Sequence, residues 1–90
     1  MTASSAFGEP TDTSKLLDVI LRATQMGMGV GFRYDRVGSA KTLRISVRRM
    51  NDGAQVDRHI LWILIDRAYY PDNILAAEIT RMIQQLEDAQ

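Results

Sequence analysis

The sequence predicts a small α+β domain with the order αββαα: a helix, a β-hairpin and two C-terminal helices, held together as a homo-oligomer, most simply a dimer. Three observations lead there. Apolar residues recur at helical spacing after Lys15 and again after Asp72, they alternate singly between Met28 and Arg49, and glycine or proline punctuates each change of period. Ninety residues provide for one domain and not for two. A hydrophobic content of 46% against 24% charged residues matches a chain that packs a core rather than a disordered one. So short a chain supplies limited stability from a single core, which makes self-association a common supplement.

Residues 1–11, rich in Ser, Thr, Ala, Gly and Pro, read as a flexible lead, leaving 12–90 as the domain. The first helix is expected over 13–26. Leu16, Leu17, Ile20 and Leu21 make one face, Lys15, Asp18, Arg22 and Gln25 the other, and Asp18 and Arg22 form a favourable i, i+4 pair. Asp12 or Thr13 offers a side-chain oxygen to the orphan amides of the first turn, and Gly27 supplies the stop.

The period then changes to two. Met28, Val30, Phe32 and Tyr34 alternate with Gly29, Gly31, Arg33 and Asp35. After Gly38, Ser39 and Ala40 the alternation resumes over 42–49, with Leu43, Ile45 and Val47 inward and Arg44, Ser46 and Arg48 outward. Two such runs joined by a five-residue connection predict an antiparallel hairpin whose inner face closes on the first helix.

Asn51, Asp52 and Gly53 mark a turn. The apolar run Ile60–Ile65 does not distinguish a buried helix from a buried strand. A helix over 56–70 is favoured because Asp57 can cap it and Pro71 can stop it, with a third strand over about 55–64 as the alternative. Asp72 or Asn73 then caps a last helix whose Leu75, Ile79, Met82 and Leu86 recur at i, i+4, i+7 and i+11, a seam suited to helix pairing.

Several functions are excluded at once. With no cysteine there is no disulfide, no thiolate-bound zinc and no cysteine nucleophile, and one histidine excludes a multi-histidine metal site within one subunit. No cofactor is implied. The longest apolar run is six residues where a membrane span needs about 20, and Met1–Pro10 lacks the charged and apolar regions of a secretory signal, so a cytoplasmic protein without a membrane partner is expected. His59 beside the apolar run, scattered aspartates and five serines without a nucleophile signature identify no catalytic residue, so the expectation is a protein that is not an enzyme.

Charge placement is the informative feature. The formal net charge is zero, yet residues 33–49 carry Arg33, Arg36, Lys41, Arg44, Arg48 and Arg49 against only Asp35, while residues 50–90 sum to −4. Such a basic stretch either binds anions or docks on acidic parts of its own chain or of a second subunit. Arg33, Arg44 and Arg48 share one hairpin face with Ser46, and guanidinium forks suit phosphate. The same arginines on surface strands also discourage edge-to-edge aggregation.

The run MGMGVG carries Gly27, Gly29 and Gly31 but neither phosphate-loop motif, because the spacing differs and the helix precedes the strand. These glycines serve either as a helix stop followed by strand positions that admit another backbone or helix, or as a bare floor on which a phosphorylated ligand lies beside the arginines. Residues from Thr42 onward, TLRISVRR followed by two helices, resemble a ribbon-helix-helix DNA-binding module, in which Arg44, Ser46 and Arg48 would face the groove. The resemblance covers about half the chain; the step from Arg49 to Val56 is longer than that family's, and residues 13–36 have no counterpart.

The leading expectation is a non-catalytic binding module that holds a phosphate-bearing partner, either a nucleotide-like ligand or nucleic acid, through Arg33, Arg44, Ser46, Arg48, Gly29 and Gly31, with Lys41 and Arg36 at the hairpin tip. The alternative is a protein-interaction module such as a small inhibitor or a phage-type accessory protein. Because the segment around Trp62 is apolar nearly all round, the expected oligomer interface runs through Ile60, Trp62, Ile63, Leu75, Ile79, Met82 and Leu86.

Overall fold

The computed structural model describes residues 14–89; the lead and the capping candidates Asp12 and Thr13 lie outside them. The elements are α1 (Ser14–Gln25), β1 (Met28–Val37), β2 (Ala40–Arg49), β3 (Gln55–Leu61), α2 (Trp62–Asp66) and α3 (Pro71–Asp88). The strands form one antiparallel sheet in the order β1-β2-β3, and the helices cover one of its faces. None of the described helices is long and apolar enough to cross a membrane.

Helix α1 ends as its sequence implies. Gly27 takes φ 79°, its N–H donates to the carbonyl of Thr24 at 3.0 Å, and its own carbonyl accepts from the Met50 N–H at 2.9 Å. That last bond ties the helix stop to the far end of β2. The hairpin is tighter than expected, with a two-residue turn at Gly38–Ser39 in place of five residues, since Val37 pairs with Ala40 and Arg36 with Lys41. Gly38, at φ 63°, occupies the first central position, where a type II′ turn requires positive φ.

The sheet has three strands, which corrects the expected hairpin and the helix over 56–70. Val56 and Ile60 alternate with Gln55, Asp57 and His59, and this run pairs with β2 from Thr42↔Leu61 to Arg48↔Gln55. The reason is tertiary: a lone hairpin is marginal in water, and β2 can bury its inner residues only with a strand on each side. The apolar run therefore splits, Ile60 and Leu61 closing β3 and Trp62–Ile65 entering α2. Asp57 caps nothing; it stands on the sheet. Pro71 starts α3 instead of stopping a helix, because at the first helical position its missing N–H costs no hydrogen bond. Asp72 and Asn73 consequently fall inside the first turn, where the negative charge of Asp72 suits the helix dipole, and no side chain caps α3.

The core lies between sheet and helices. Ala23 of α1, Ile45 and Val47 of β2, and Ile79 and Met82 of α3 are fully buried, with Val19, Met28, Leu75, Ile83 and Leu86 around them. The seam read from the sequence is real, but Leu75, Ile79, Met82 and Leu86 face the chain's own core. The surface left to a partner from the expected interface is exposed Trp62 and Ile63 beside half-buried Ile60. Beyond the core, Arg58 reaches α3 through Gln85 (3.2 Å) and Glu78 (3.8 Å).

Candidate functional site

The face of the sheet turned away from the helices follows from the pairing. Gly29 stands opposite Arg48, Gly31 opposite Ser46, Arg33 opposite Arg44 and Asp35 opposite Thr42. On the other side of β2, Arg48 pairs with Gln55, Ser46 with Asp57, Arg44 with His59 and Thr42 with Leu61. Because cross-strand partners share a face, the sheet brings together Arg33, Arg44, Arg48, Ser46, Gly29 and Gly31 as the sequence implied. It does not bring Arg36 and Lys41 with them. One residue out of step with Arg33 and Arg44, these two pair with each other on the helix-bearing face at the hairpin end.

Like charges directly opposite one another repel, so the Arg33–Arg44 pair needs compensation. The structure supplies part of it. Arg44 contacts Asp57 Oδ2 at 3.4 Å and Asp35 Oδ2 at 4.0 Å. Asp35 also lies 3.7 Å from His59 Nε2. The backbone N–H of Arg36, donating to Asp35 Oδ1 at 2.8 Å, is the main cause that lowers the Asp35 pKa, with the charge of Arg33 adding to it. The Asp57 carboxyl is likewise held below the usual carboxylate range, first by the Ser46 hydroxyl, then by the Gln55 amide at 2.8 Å, with Arg44 adding. Arg33 and Arg48 form no ion pair among the described residues. The Arg48 guanidinium extends toward the β2–β3 turn, with Nη2 3.7 Å from where a Cβ on Gly53 would lie.

The glycines are bare. Neither Gly29 nor Gly31 takes a positive φ. A Cβ at Gly31 would meet no heavy atom within 4 Å, and one at Gly29 would make only ordinary contact with Met50 Sδ at 3.7 Å. No backbone or helix of the described residues makes use of the space at Gly31. Clefts open elsewhere, one between α1 and α3 beside Asp18, Arg22 and Arg81, another under α2 beside Ile60, Ile63 and Ile74. Neither of these clefts is lined by Arg33, Arg44, Ser46 or Arg48. No group of three metal-ligating side chains is assembled among the described residues.

Asp57, His59 and Gln55 are the members of this face that sequence reasoning missed, since the helix reading of 56–70 took them off the sheet. Their signal was the period of two from Gln55 to Ile60. Arg49, counted with the basic stretch, works inside the fold instead. Its Nε and Nη2 donate to Asp52 at 3.0 and 2.9 Å, and its Nη1 donates to the Leu86 carbonyl at 2.7 Å near the end of α3. Comparison with known proteins returns no matching family model, no matching curated protein and no matching solved structure.

Proposed function

We propose that the protein is a non-catalytic binding module that holds the phosphate backbone of a nucleic acid on the outer face of its sheet. The observation that carries this reading is Gly31. A glycine within a strand weakens it, and this one serves no turn, no positive φ and no internal close approach. What remains is an external reason: the floor beside Arg33, Ser46 and Arg44 is clear for something outside the chain. Arg33 and Arg48 present guanidinium groups without carboxylate partners among the described residues, and Arg44 can exchange a carboxylate for a phosphate oxygen.

An extended polyanion suits this face better than a free nucleotide. Small ligands are buried over most of their surface in concave pockets, and the clefts of the described residues are lined by other side chains than Arg33, Arg44 and Arg48. With three arginines and two carboxylates on it, binding is weak and strongly salt-dependent rather than tight. Fluorescence anisotropy with a labelled oligonucleotide, titrated from about 50 to 200 mM salt, tests the proposal. The wild-type chain should bind at the low end, and the Arg44→Ala, Arg48→Ala double variant should bind more weakly, with the slope of log K against log salt reduced by roughly 1.8 if both arginines contact phosphates of B-form DNA. Equal binding by a correctly folded double variant would refute it.

A further inference from the structure

We infer that β1 is the site of self-association: a second copy of the chain pairs with its free edge, antiparallel across a two-fold axis at Phe32, making one six-stranded sheet. The interface stands whether or not the sheet binds phosphate.

The argument starts at the edge. β1 has ten residues and a partner on one side only, so half of its backbone hydrogen-bonding groups are open. The helix-side row of the same strand runs from buried Met28 and half-buried Val30 to Phe32 and Tyr34, which stay 43% and 54% exposed although Tyr34 meets Trp62 edge-on at 6.1 Å. Above it, α1 turns Lys15, Asp18 and Arg22 toward α3 and leaves Leu17 and Leu21, 56% and 58% exposed and one helical turn apart, on the flank beyond the β1 edge. Four large apolar side chains thus border one unpaired strand. The opposite edge is a poorer candidate, because β3 is shorter and its Arg58 is tied to α3.

Symmetry identifies the occupant and the alignment. A two-fold perpendicular to the sheet keeps both sets of helices on the same side and brings the two Leu17–Leu21 flanks together. Side chains keep their faces only if paired residue numbers have an even sum, so the axis passes through a residue. An axis at Arg33 sets two like charges directly opposite each other, which is unfavourable. An axis at Tyr34 leaves a seven-residue overlap. An axis at Phe32 pairs residues 28–36, stacks Phe32 on its own copy, sets Val30 against the partner's Tyr34 and places the partner's Arg33 beside Gly31. There the missing Cβ leaves that guanidinium unobstructed on the outer face. Glycine at 31 therefore suits this register, and the outer faces of the two copies become one surface with Arg33 and Arg44 of each near its centre.

The absence of cysteine permits a direct test. Light scattering at micromolar concentration should give twice the 10.1 kDa chain mass, and Phe32→Lys, which sets two ammonium groups face to face, should return the mass to that of one chain with the circular dichroism unchanged. Because Phe32→Lys could act by misfolding, the register is read separately. Directly opposed residues in an antiparallel pair have Cα atoms about 4.5–5.5 Å apart, within disulfide range. Mild oxidation should crosslink Phe32→Cys into a dimer but leave Tyr34→Cys uncrosslinked. A monomeric wild-type chain at 100 µM, or crosslinking of Tyr34→Cys without Phe32→Cys, would overturn the inference. Loss of oligonucleotide binding in Arg44→Ala with the dimer intact separates the two proposals.

Discussion

β1 and β2 carry the same alternating pattern, and the structure treats them oppositely. Ile45 is 0% exposed, whereas Phe32, its cross-strand partner on the same face, is 43% exposed. The difference is place in the sheet: β2 has a strand on each side and α3 above, while β1 has an open edge. Alternation tells which face a side chain takes; the number of neighbours tells how much water it loses.

The largest expected effect sits at the centre. Ile45→Ala should destabilise the chain by about 2–5 kcal/mol in urea unfolding, the range for deleting a well-packed aliphatic side chain. Phe32→Ala, measured at a dilution that favours single chains, should cost roughly 1 kcal/mol, since only part of the ring is withdrawn from water. Equal losses would mean that edge and centre bury alike, and the contrast between the strands would fail.

A smaller effect of opposite sign is expected at Gly31. With an ordinary φ and open space at its Cβ position, Gly31→Ala should stabilise the isolated chain by about 0.4–1 kcal/mol, mostly by narrowing the unfolded ensemble. Oligonucleotide binding should weaken in the same variant. Thermal unfolding and anisotropy on one preparation check both. A variant that loses stability has a hidden packing reason for glycine, and one that gains stability without losing affinity takes Gly31 out of the nucleic-acid proposal.

The comparison also shows what one sequence could reveal. Local patterns were legible: the stripe of α1, the two alternating runs, the helical stripe of α3 and the turn glycines all depend on neighbours close in the chain. The arginine face was legible for the same reason. β3 was not, because Val56–Ile65 satisfies two periods at once and the deciding term is pairing with β2, a partner at a distance along the chain. Losing β3 also removed Asp57 and His59 from the face and made Arg44 look less compensated than it is. Leu75, Ile79, Met82 and Leu86 were read as an intersubunit seam for a related reason, since an apolar stripe does not say whether the surface it meets belongs to its own chain.

The smallest effect is at the turn that ends β2, where the central strand is tied down in a way the β1 edge is not. Asp52 accepts from Arg49 and from the Ala54 N–H at 3.0 Å. The Arg49 hydrogen bonds are the larger cause, and together they bring its pKa from 3.8 down to about 2. A carboxylate whose pKa is lower in the folded state contributes stability above the unfolded value of 3.8, and that contribution fades as pH falls through about 2. Asp52 is open to solvent, so the contribution is small and salt screens it. Thermal melts at pH 5, 4, 3 and 2 should show Asp52→Asn melting below the wild-type chain at pH 5, with the gap closing toward pH 2. Asp35 and Asp57, also shifted down, weaken both proteins in that range and cancel in the difference. A gap that holds constant would mean that the turn depends on the shape of the Asp52 side chain and not on its charge, so that Arg49 would hold the end of β2 through the Leu86 carbonyl alone.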